Sequence, residues 1–475
     1  MPHSLVLDRY LAPAPDGQPF PHRVRHPWMT RRPTPLADPA ARYAALLAGG
    51  GGPRLAYVHV PFCANHCLFC GFYRNRTDAA AMHRYVDHLV REIARDAARP
   101  GLAERPVAAV FLGGGTPSAL SAGDLHRVLT ALRDHLPLAP DCEVTVEGRV
   151  AGFDDERVDA CLDAGANRFS IGIQSFDTRL RRRMGRKATR EGAEAFLSGL
   201  IARDRAAVIC DLIYGLPGQT DETWREDVAT CDRLGLDGVD LYRLSLQPDS
   251  PLAAAIAGGR LPPPGDEAGN GRRYADGCAL LAQAGWARLS QAHWGRTPRE
   301  RNRYNRFTKN GSDCLAFGAG AGGMLDGHRF LNDADVAAYE SRVAAGEKPL
   351  AAMLAPAPHH AARGFVMDGC ERGALDFGEL DAAVAAGFSA ALRPLFADWA
   401  RKGLIVPEDG ALSLTVAGRF WHDNLAAVLF DLIDAYLDGG PAPTMPPQGG
   451  APTLRPGGRH LSFPPRSGES HVRRP

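Results

Sequence analysis

The sequence has no long run of apolar residues and almost no net charge. No segment approaches the roughly 18 consecutive apolar residues that cross a bilayer, and the start of the chain has no apolar stretch longer than residues 5–7. Its 55 basic and 54 acidic side chains leave a formal charge of +1. These absences argue against a membrane protein and against a general binder of nucleic acids or membrane surfaces. They predict a cytoplasmic location.

Closely spaced cysteines are also scarce, although the chain has ten cysteines in 475 residues. A disulfide framework belongs to short secreted chains, so we expect reduced thiols here. Seven cysteines stand singly among apolar neighbours, and we interpret them as small buried core residues. They are Cys142, Cys161, Cys210, Cys231, Cys278, Cys314 and Cys370.

Proline and glycine are concentrated at the two ends of the chain. The first fifty residues contain nine prolines, and the segment 1–53 ends in a glycine run. This composition predicts an irregular arm and a linker with little regular structure. Residues 439–475 contain nine prolines and seven glycines, and we predict that they are disordered. Between these ends we place a core domain at residues 54–295 and a second, mostly helical domain at residues 296–438.

Six short apolar runs alternate with helical segments in the first half of the chain. The runs are residues 56–60, 108–112, 143–146, 169–173, 208–213 and 239–246. The alternation predicts consecutive βα units around a parallel sheet, and residues 82–93 carry the apolar stripe of one crossover helix. Six strands are too few for a closed barrel of eight, so we predict an α/β fold with a partial TIM-like barrel or open sheet. Functional residues are then expected at the carboxyl ends of the strands.

Directly after the first run, Cys63, Cys67 and Cys70 form a C-x3-C-x2-C triplet. Three thiolates on one short loop predict a metal site, because thiolates suit zinc and iron–sulfur clusters. A structural zinc normally has four protein ligands, and no fourth cysteine lies nearby; His59 or His66 could complete such a set. A 4Fe-4S cluster on three cysteines would instead keep one iron open to a small molecule.

Glycines or polar side chains occur in or directly after the next four runs. Residues 113–115 are three glycines followed by Thr116, and glycine lets the backbone approach a ligand closely. Glu147 ends the third run, Gln174 ends the fourth, and Asp211 lies within the fifth. Convergence of these positions on one edge of the sheet predicts a pocket.

The cysteine triplet at the end of the first strand resembles the radical S-adenosylmethionine (SAM) superfamily. The resemblance covers roughly residues 54–435 and is carried further by residues 57–63, 113–117, 170–176, 184–186 and 211–220. Together these segments resemble the tetrapyrrole-related branch that contains the oxygen-independent coproporphyrinogen III dehydrogenase HemN and the haem chaperone HemW. The resemblance implies that the second domain is a mostly helical domain of the HemN type.

The resemblance implies the cofactors and the residues that hold them. In that superfamily three cysteines hold a 4Fe-4S cluster whose open iron chelates SAM, and an electron from the cluster cleaves SAM to a radical that takes hydrogen from a substrate. Cys63, Cys67 and Cys70 are then the cluster ligands and the catalytic centre. Two SAM molecules bind in this branch. By position, the first would contact Tyr57, Gly114 and Glu147, and the second Phe69, Gly115, Thr116, Gln174, Arg186 and Asp211.

Two departures separate the chain from these relatives. A further cysteine of the coproporphyrinogen enzyme corresponds to Phe72, and the haem motif of the chaperone falls on residues 301–306 without its histidine and aromatic pair. Residues 70–76, 146–149 and 293–323 instead resemble the anaerobic haem-degrading radical SAM methyltransferases, the ChuW and HutW group. That resemblance implies oxygen-independent opening of the haem macrocycle, methyl transfer from SAM and iron release. An oxidative decarboxylase and a non-catalytic haem chaperone remain as alternatives.

Charge and histidines suggest how such a chain would contact haem. Six basic side chains form either a solvated loop or a site for the two haem propionates. Nucleic-acid binding is a weaker interpretation, because the net charge of the chain is close to zero. They are Arg296, Arg299, Arg301, Arg303, Arg306 and Lys309. His59, His66 and His293 could ligate haem iron, and His293 is the better candidate because His59 belongs to a motif shared with relatives that have no haem substrate. The resemblance also implies a low-potential electron donor, of the flavodoxin type or another.

Overall fold

The computed structural model describes residues 5–11, 18–24, 34–65, 67–70, 75–248 and 250–439. Apart from Gly439, the predicted disordered tail lies outside the described residues, and so do His66 and Phe72. Among the described helices, none combines the length and the apolar character that crossing a membrane requires.

The described strands and helices alternate through the first half of the chain. In chain order the strands are β1 (Arg54–Val60), β2 (Phe62–Cys63), β3 (Asn75–Arg76), β4 (Val107–Gly114), β5 (Leu138–Gly148), β6 (Arg168–Gln174), β7 (Ala207–Tyr214), β8 (Gly238–Arg243), β9 (Ala287–Arg288), β10 (His293–Gly295), β11 (Cys314–Phe317), β12 (Gly322–Leu325), β13 (His328–Asn332), β14 (Leu350–Leu354), β15 (Ala374–Asp376), β16 (Ile405–Glu408) and β17 (Ala411–Leu414). The helices are α1 (Asp8–Leu11), α2 (Pro39–Leu47), α3 (Ala79–Ala97), α4 (Ala122–His135), α5 (Asp155–Asp163), α6 (Thr178–Arg183), α7 (Arg190–Ala202), α8 (Asp221–Leu234), α9 (Pro251–Ala257), α10 (Glu267–Gln283), α11 (Arg303–Lys309), α12 (Val336–Ala344), α13 (His360–Arg372), α14 (Phe377–Ala383), α15 (Phe388–Ala391), α16 (Arg393–Arg401), α17 (Val416–Phe420) and α18 (His422–Asp438).

One open sheet of 12 strands forms the centre of the molecule, in the order β14-β13-β12-β11-β1-β4-β5-β6-β7-β8-β10-β9. Strands β1, β4, β5, β6, β7 and β8 are parallel neighbours in chain order, with helices between them. These are the six predicted βα units, and the α/β partial barrel is confirmed. The strands are almost wholly buried because helices cover a parallel sheet, which explains their continuous apolar runs.

The sheet continues beyond residue 296, where the sequence predicted mainly helices. Strand β11 pairs in parallel with β1, and β12, β13 and β14 follow it as antiparallel strands. Each of these strands has four or five residues. Apolar runs of that length have no periodicity that distinguishes a strand from a helical turn. From residue 360 onward the region is mostly helical, as predicted. Residues 377–401 of this region form three short helices.

The prediction that the N-terminal arm has little regular structure is wrong for its second half. Helix α2 begins with a proline in its first turn, and the Asp38 side chain accepts a hydrogen bond from the Ala41 amide, which caps the helix. Tyr43 and Leu47 on this helix are 1% and 0% exposed. The arm also contacts the far end of the chain, because the Phe20 ring lies 5.6 Å from the Trp421 ring. A high proline content therefore did not prevent the arm from packing on the core.

Candidate functional site

The three cysteines lie on the loop that leaves the carboxyl end of β1. Cys63 ends β2, which pairs with β3, and Cys63 and Cys67 are buried while Cys70 is partly buried. Two contacts hold the loop against the segment after α6. The Asn65 side-chain amide donates to the Gly185 carbonyl at 2.8 Å, and the Leu68 amide donates to the Met184 carbonyl at 3.3 Å. The loop is therefore fixed on both sides of Cys67.

Arg149, one residue past the end of β5, points at the cysteine loop. Its Nη2 donates to the Sγ of Cys67 at 3.2 Å, and its backbone amide donates to the Ser118 hydroxyl at 3.2 Å. Burial raises the pKa of the Cys63 thiol, whereas the Thr116 hydroxyl and the Arg149 guanidinium oppose that rise. A cation beside a thiol favours the thiolate, which is the form that binds metals. The sequence did not single out Arg149; its position directly after a strand end was the signal for this role.

Close packing requires the glycines at the end of β4 and directly after it. Gly114 has a φ of +112°, and a Cβ there would lie 2.6 Å from the His59 ring. A Cβ on Gly115 would lie 2.7 Å from the Phe62 carbonyl oxygen. The hydroxyl of Thr116 lies 3.1 Å from the Sγ of Cys63. The glycines thus allow the β4 turn to approach the cysteine loop itself, in addition to any ligand.

Tyr57, Gly114 and Glu147 lie together across three neighbouring strands, β1, β4 and β5. The Gly114 amide donates to Oε2 of Glu147 at 3.3 Å. Burial raises the pKa of the Glu147 carboxyl to about 7, against the opposing effects of the Gly114 amide and the Arg168 guanidinium. The Tyr57 ring stacks on the Phe111 ring with centroids 6.4 Å apart. The structure therefore brings together the three residues predicted for the first SAM.

Phe69, Gln174, Arg186 and Asp211 form a second group beside the cysteine loop. The Arg186 guanidinium lies 5.7 Å from the centre of the Phe69 ring, and its electrostatic neighbours are Cys67, Cys70 and Asp211. A Cβ on Gly172 would lie 2.8 Å from Nε2 of Gln174 and 3.2 Å from Nη2 of Arg186. Oε1 of Gln174 and Nε of Arg186 are buried without a hydrogen-bond partner in the described part of the chain. Two neighbouring unpaired polar groups are the expected sign of a polar ligand.

Asp211 is the neighbour of a buried pair formed by His293 and Asp240. The sequence indicated His293 as a candidate but did not indicate Asp240. Asp211 accepts a hydrogen bond from the Ser170 hydroxyl at 3.2 Å and is the register partner of Asp240 on β8. Nδ1 of His293 on β10 hydrogen-bonds Oδ1 of Asp240. Burial alone would raise the pKa of Asp240, but His293 holds it below its usual value. Burial, Asp240 and Glu147 together raise the pKa of Asp211 well above its usual value.

Tyr304 in the cationic segment at residues 296–309 packs against Tyr57, with ring centroids 6.3 Å apart. Four of the six cations nevertheless make their contacts away from this site, so the propionate alternative is wrong for these four. Those four contact groups near the amino ends of β5, β7 and β8, which form the opposite edge of the sheet. The contacts are Arg296 with the Gly235 and Leu236 carbonyls, Arg299 with Asp204, and both Arg301 and Arg303 with Asp141. Ion pairs and helix capping account for these cations, and Lys309 pairs with Glu371 at 2.7 Å.

Comparison with known proteins agrees with the cysteine loop and the partial barrel. Residues 57–231 match the family model of the radical SAM superfamily. The chain is 49% identical over 385 residues to anaerobilin synthase from Escherichia coli O157:H7, and the alignment covers 80% of this chain and 84% of that protein. The chain belongs to the anaerobilin synthase family of radical SAM proteins. Radical SAM enzymes use a 4Fe-4S cluster and SAM, so these are its cofactors.

Other relatives of this family member are more distant. The haem chaperone HemW of a Synechocystis species is 31% identical over 286 residues, which are 58% of this chain and 68% of the chaperone. The solved structure of coproporphyrinogen III oxidase, HemN, from Escherichia coli superposes with a TM-score of 0.71 at 23% identity, over 86% of this chain and 98% of HemN. At that identity the likeness shows the fold alone, which is the predicted HemN-like one.

The residues present suit both cofactors. Three thiols on a fixed loop, with Arg149 donating to one of them, match the ligand chemistry of an iron–sulfur cluster. The unpaired Oε1 of Gln174 and Nε of Arg186 match the amino and carboxylate groups that SAM carries.

SAM affinity is expected to rise as the pH rises through about 7, the pKa of Glu147. Between pH 4.5, the ordinary pKa of the group, and about 7, the folded protein without SAM keeps Glu147 protonated. This protonation adds to the free energy of unfolding. The contribution is complete below pH 4.5 and is lost as the pH rises through about 7. The amino group of SAM donates a hydrogen bond to the carboxylate, so SAM binding favours the deprotonated form of Glu147. The affinity should fall roughly tenfold per pH unit below pH 7. Anaerobic calorimetry at pH 6, 7 and 8 measures it.

Glu147→Gln should weaken SAM binding and abolish this pH dependence while the cluster still assembles. A conservative amide at Asp211 is a second test of the same kind, because Asp211→Asn should also weaken SAM binding at unchanged iron content. Unchanged SAM affinity in both variants would contradict the assignment and would make the two carboxyls ordinary buried polar groups.

Proposed function

We propose that the chain is an anaerobic haem-degrading radical SAM enzyme, which opens the haem macrocycle with methyl transfer from SAM and releases iron. The observation that supports this most is the 49% identity to anaerobilin synthase over 80% of the chain, far beyond the residues that match the superfamily model. The HemW relatives align over a smaller part of the chain at lower identity. We place the enzyme in the cytoplasm, with a low-potential protein as its reductant.

Cys63, Cys67 and Cys70 hold the cluster in this proposal, and Arg149 stabilises the thiolate of Cys67. The cluster supplies the electron that cleaves one SAM to a radical. Glu147 binds the amino group of that SAM, beside Tyr57 and Gly114. Glu147 is partly buried and desolvated, so its carboxylate interacts more strongly than it would at the open surface.

We propose a site for a second SAM in the group formed by Phe69, Gly115, Thr116, Gln174, Arg186 and Asp211. The Arg186 fork pairs with its carboxylate, and Oε1 of Gln174 accepts from its amino group. The Phe69 ring keeps the guanidinium in position through a cation–π contact. The hydroxyl of Thr116, which contacts Cys63, joins this group to the cysteine loop.

The experiment that tests this function is an anaerobic reaction of the reconstituted chain with haem, SAM and dithionite. We expect the Soret band to disappear, iron to become available to a chelator, and a methylated open-chain tetrapyrrole to appear by mass spectrometry. A decarboxylated porphyrin would favour the oxidative decarboxylase. Intact haem with no SAM consumed would favour the chaperone.

We propose that His293 ligates the iron of the haem substrate. Its Nδ1 is engaged by Asp240, and no hydrogen bond of Nε2 occurs among the described residues, so Nε2 is the nitrogen left for a metal. A carboxylate bound to one ring nitrogen fixes the tautomer and makes the other nitrogen a stronger ligand. The hydroxyl of Tyr242 donates to the second oxygen of Asp240 at 3.3 Å, which fixes that carboxylate.

His293→Ala should change the Soret position and the spin state of bound haem in the absence of SAM, and added imidazole should restore them. Haem affinity is expected to fall about tenfold or more, since one metal–ligand bond and its outer partner are lost. His126→Ala, which alters an exposed histidine on α4, is the control. An unchanged haem spectrum in His293→Ala would remove the assignment without affecting the proposed reaction.

A further inference from the structure

Exposed cations are concentrated on α6 and the turn that follows it. Arg179, Arg182, Arg183 and Lys187, which we call the basic surface, are all exposed. None of the four forms an ion pair within the described residue ranges, whereas Arg190 at the start of α7 pairs with Glu194 and Glu226. Three of them line an open depression together with Asp177 and Glu191. The basic surface thus has four exposed cations without ion pairs among the described residues, beside two acidic side chains, in a chain whose net charge is only +1.

The basic surface is continuous with the segment that holds the cysteine loop. Residues 184–186 lie between Arg183 and Lys187, and this short segment makes the contacts of the site. Gly185 and Met184 accept hydrogen bonds from Asn65 and Leu68, on the two sides of Cys67. The Arg186 side chain lies over Phe69, which precedes Cys70. A partner on the basic surface would therefore lie one short backbone segment away from the cluster ligands.

The chemistry of the proposed function needs an electron from outside the chain, because neither SAM nor haem supplies one for SAM cleavage. A protein that delivers it must approach the cluster loop in a defined orientation. Patches of opposite charge provide orientation and a high association rate, which suits a transient encounter.

We propose that the basic surface is the docking site of an acidic one-electron carrier of the flavodoxin type; this rests on the proposed function. The carrier is oxidised by one electron, the cluster is reduced by one electron, and no atom is transferred. Nucleic-acid binding does not explain the basic surface, because four cations on a chain of nearly zero net charge are not accompanied by a motif that contacts bases.

The test compares two triple charge reversals that change the net charge equally. The first, R179E/R182E/K187E, reverses the basic surface. The control, R84E/R91E/R393E, reverses exposed arginines of α3 and α16 that form no ion pair in the described chain. The probe is a recombinant acidic flavodoxin. Its affinity for each reconstituted chain is measured through flavin fluorescence at low and moderate salt, and SAM cleavage is measured with photoreduced flavodoxin and, separately, with dithionite.

We expect the first variant to lose flavodoxin affinity by roughly tenfold or more and to lose the salt dependence of binding. Its flavodoxin-supported SAM cleavage should fall in proportion, while its dithionite-supported cleavage stays at the unmodified level. The control variant should match the unmodified chain in all three measurements.

Equal flavodoxin binding by both variants would overturn the docking site. Parallel loss of the flavodoxin and dithionite rates would also overturn it, because the patch would then act on the site or the fold. If the unmodified chain failed to cleave SAM even with dithionite, the proposed function would fail, and the binding measurement would still decide the docking site separately.

Discussion

Replacement of Cys63, Cys67 or Cys70 by alanine is expected to remove most of the visible absorbance of the reconstituted cluster and to abolish SAM cleavage. In this assignment each thiolate is one of three cluster ligands, so its loss leaves the ligand set incomplete. The loss of turnover should be on the order of a thousandfold or more, since the reaction has no path without the cluster. Iron and sulfide content and the release of 5′-deoxyadenosine measure the two effects.

Matched controls come from the scattered cysteines. Cys161 and Cys278 are buried, and burial raises the pKa of each thiol to about 12 and about 11, so both are neutral core residues. Cys161→Ala and Cys278→Ala should keep full iron content and turnover, at a small cost in stability from the lost packing. If one of the scattered cysteines proved indispensable for iron binding, a fourth protein ligand would exist and the open iron would be lost. A loop variant with full iron, sulfide and turnover would remove the assignment of the loop.

The second large effect concerns the methyl group. Arg186→Lys should cost methyl transfer about a hundredfold while the cluster assembles normally, because an ammonium cannot reproduce a two-point contact with the carboxylate of the second SAM. Nε of Arg186 is buried and has no hydrogen-bond partner among the described residues, so the guanidinium is available to pair with a ligand. With SAM labelled in its methyl group, the tetrapyrrole made by the unmodified chain should carry the label, and adenosyl fragments should accumulate from the other SAM.

The control for this variant is Arg84→Lys, which alters an exposed arginine of α3. It should leave methyl transfer unchanged. Equal losses of methyl transfer and of cluster content in Arg186→Lys would mean that Arg186 supports the loop through Cys67 and Cys70 and does not hold a second SAM. An unlabelled product from the unmodified chain would contradict two-SAM chemistry.

Local sequence was sufficient for the cysteine loop and the parallel strands. Three cysteines within eight residues predicted a metal site by their spacing, and the resemblance to the radical SAM superfamily narrowed that site to a 4Fe-4S cluster. Parallel strands buried on both faces appear as continuous apolar runs, so all six were visible, and the polar residues at their ends were expected to share one edge. Tyr57, Gly114 and Glu147 do lie together, as do Phe69, Gln174, Arg186 and Asp211.

Only the tertiary structure decided which charges belong to the site. The cations at residues 296–309 resembled a propionate site in sequence, but their partners, such as Asp141 and Asp204, are far away along the chain, and pairing between distant residues leaves no local signal. For the same reason the sequence did not reveal the hydrogen bond from Arg149 to Cys67 or the one between Asp240 and His293. The sequence by itself determined the cysteine triplet and the order of the parallel strands, because both depend on near neighbours; the partner of each buried charge depended on how the strands and loops were brought together in the fold.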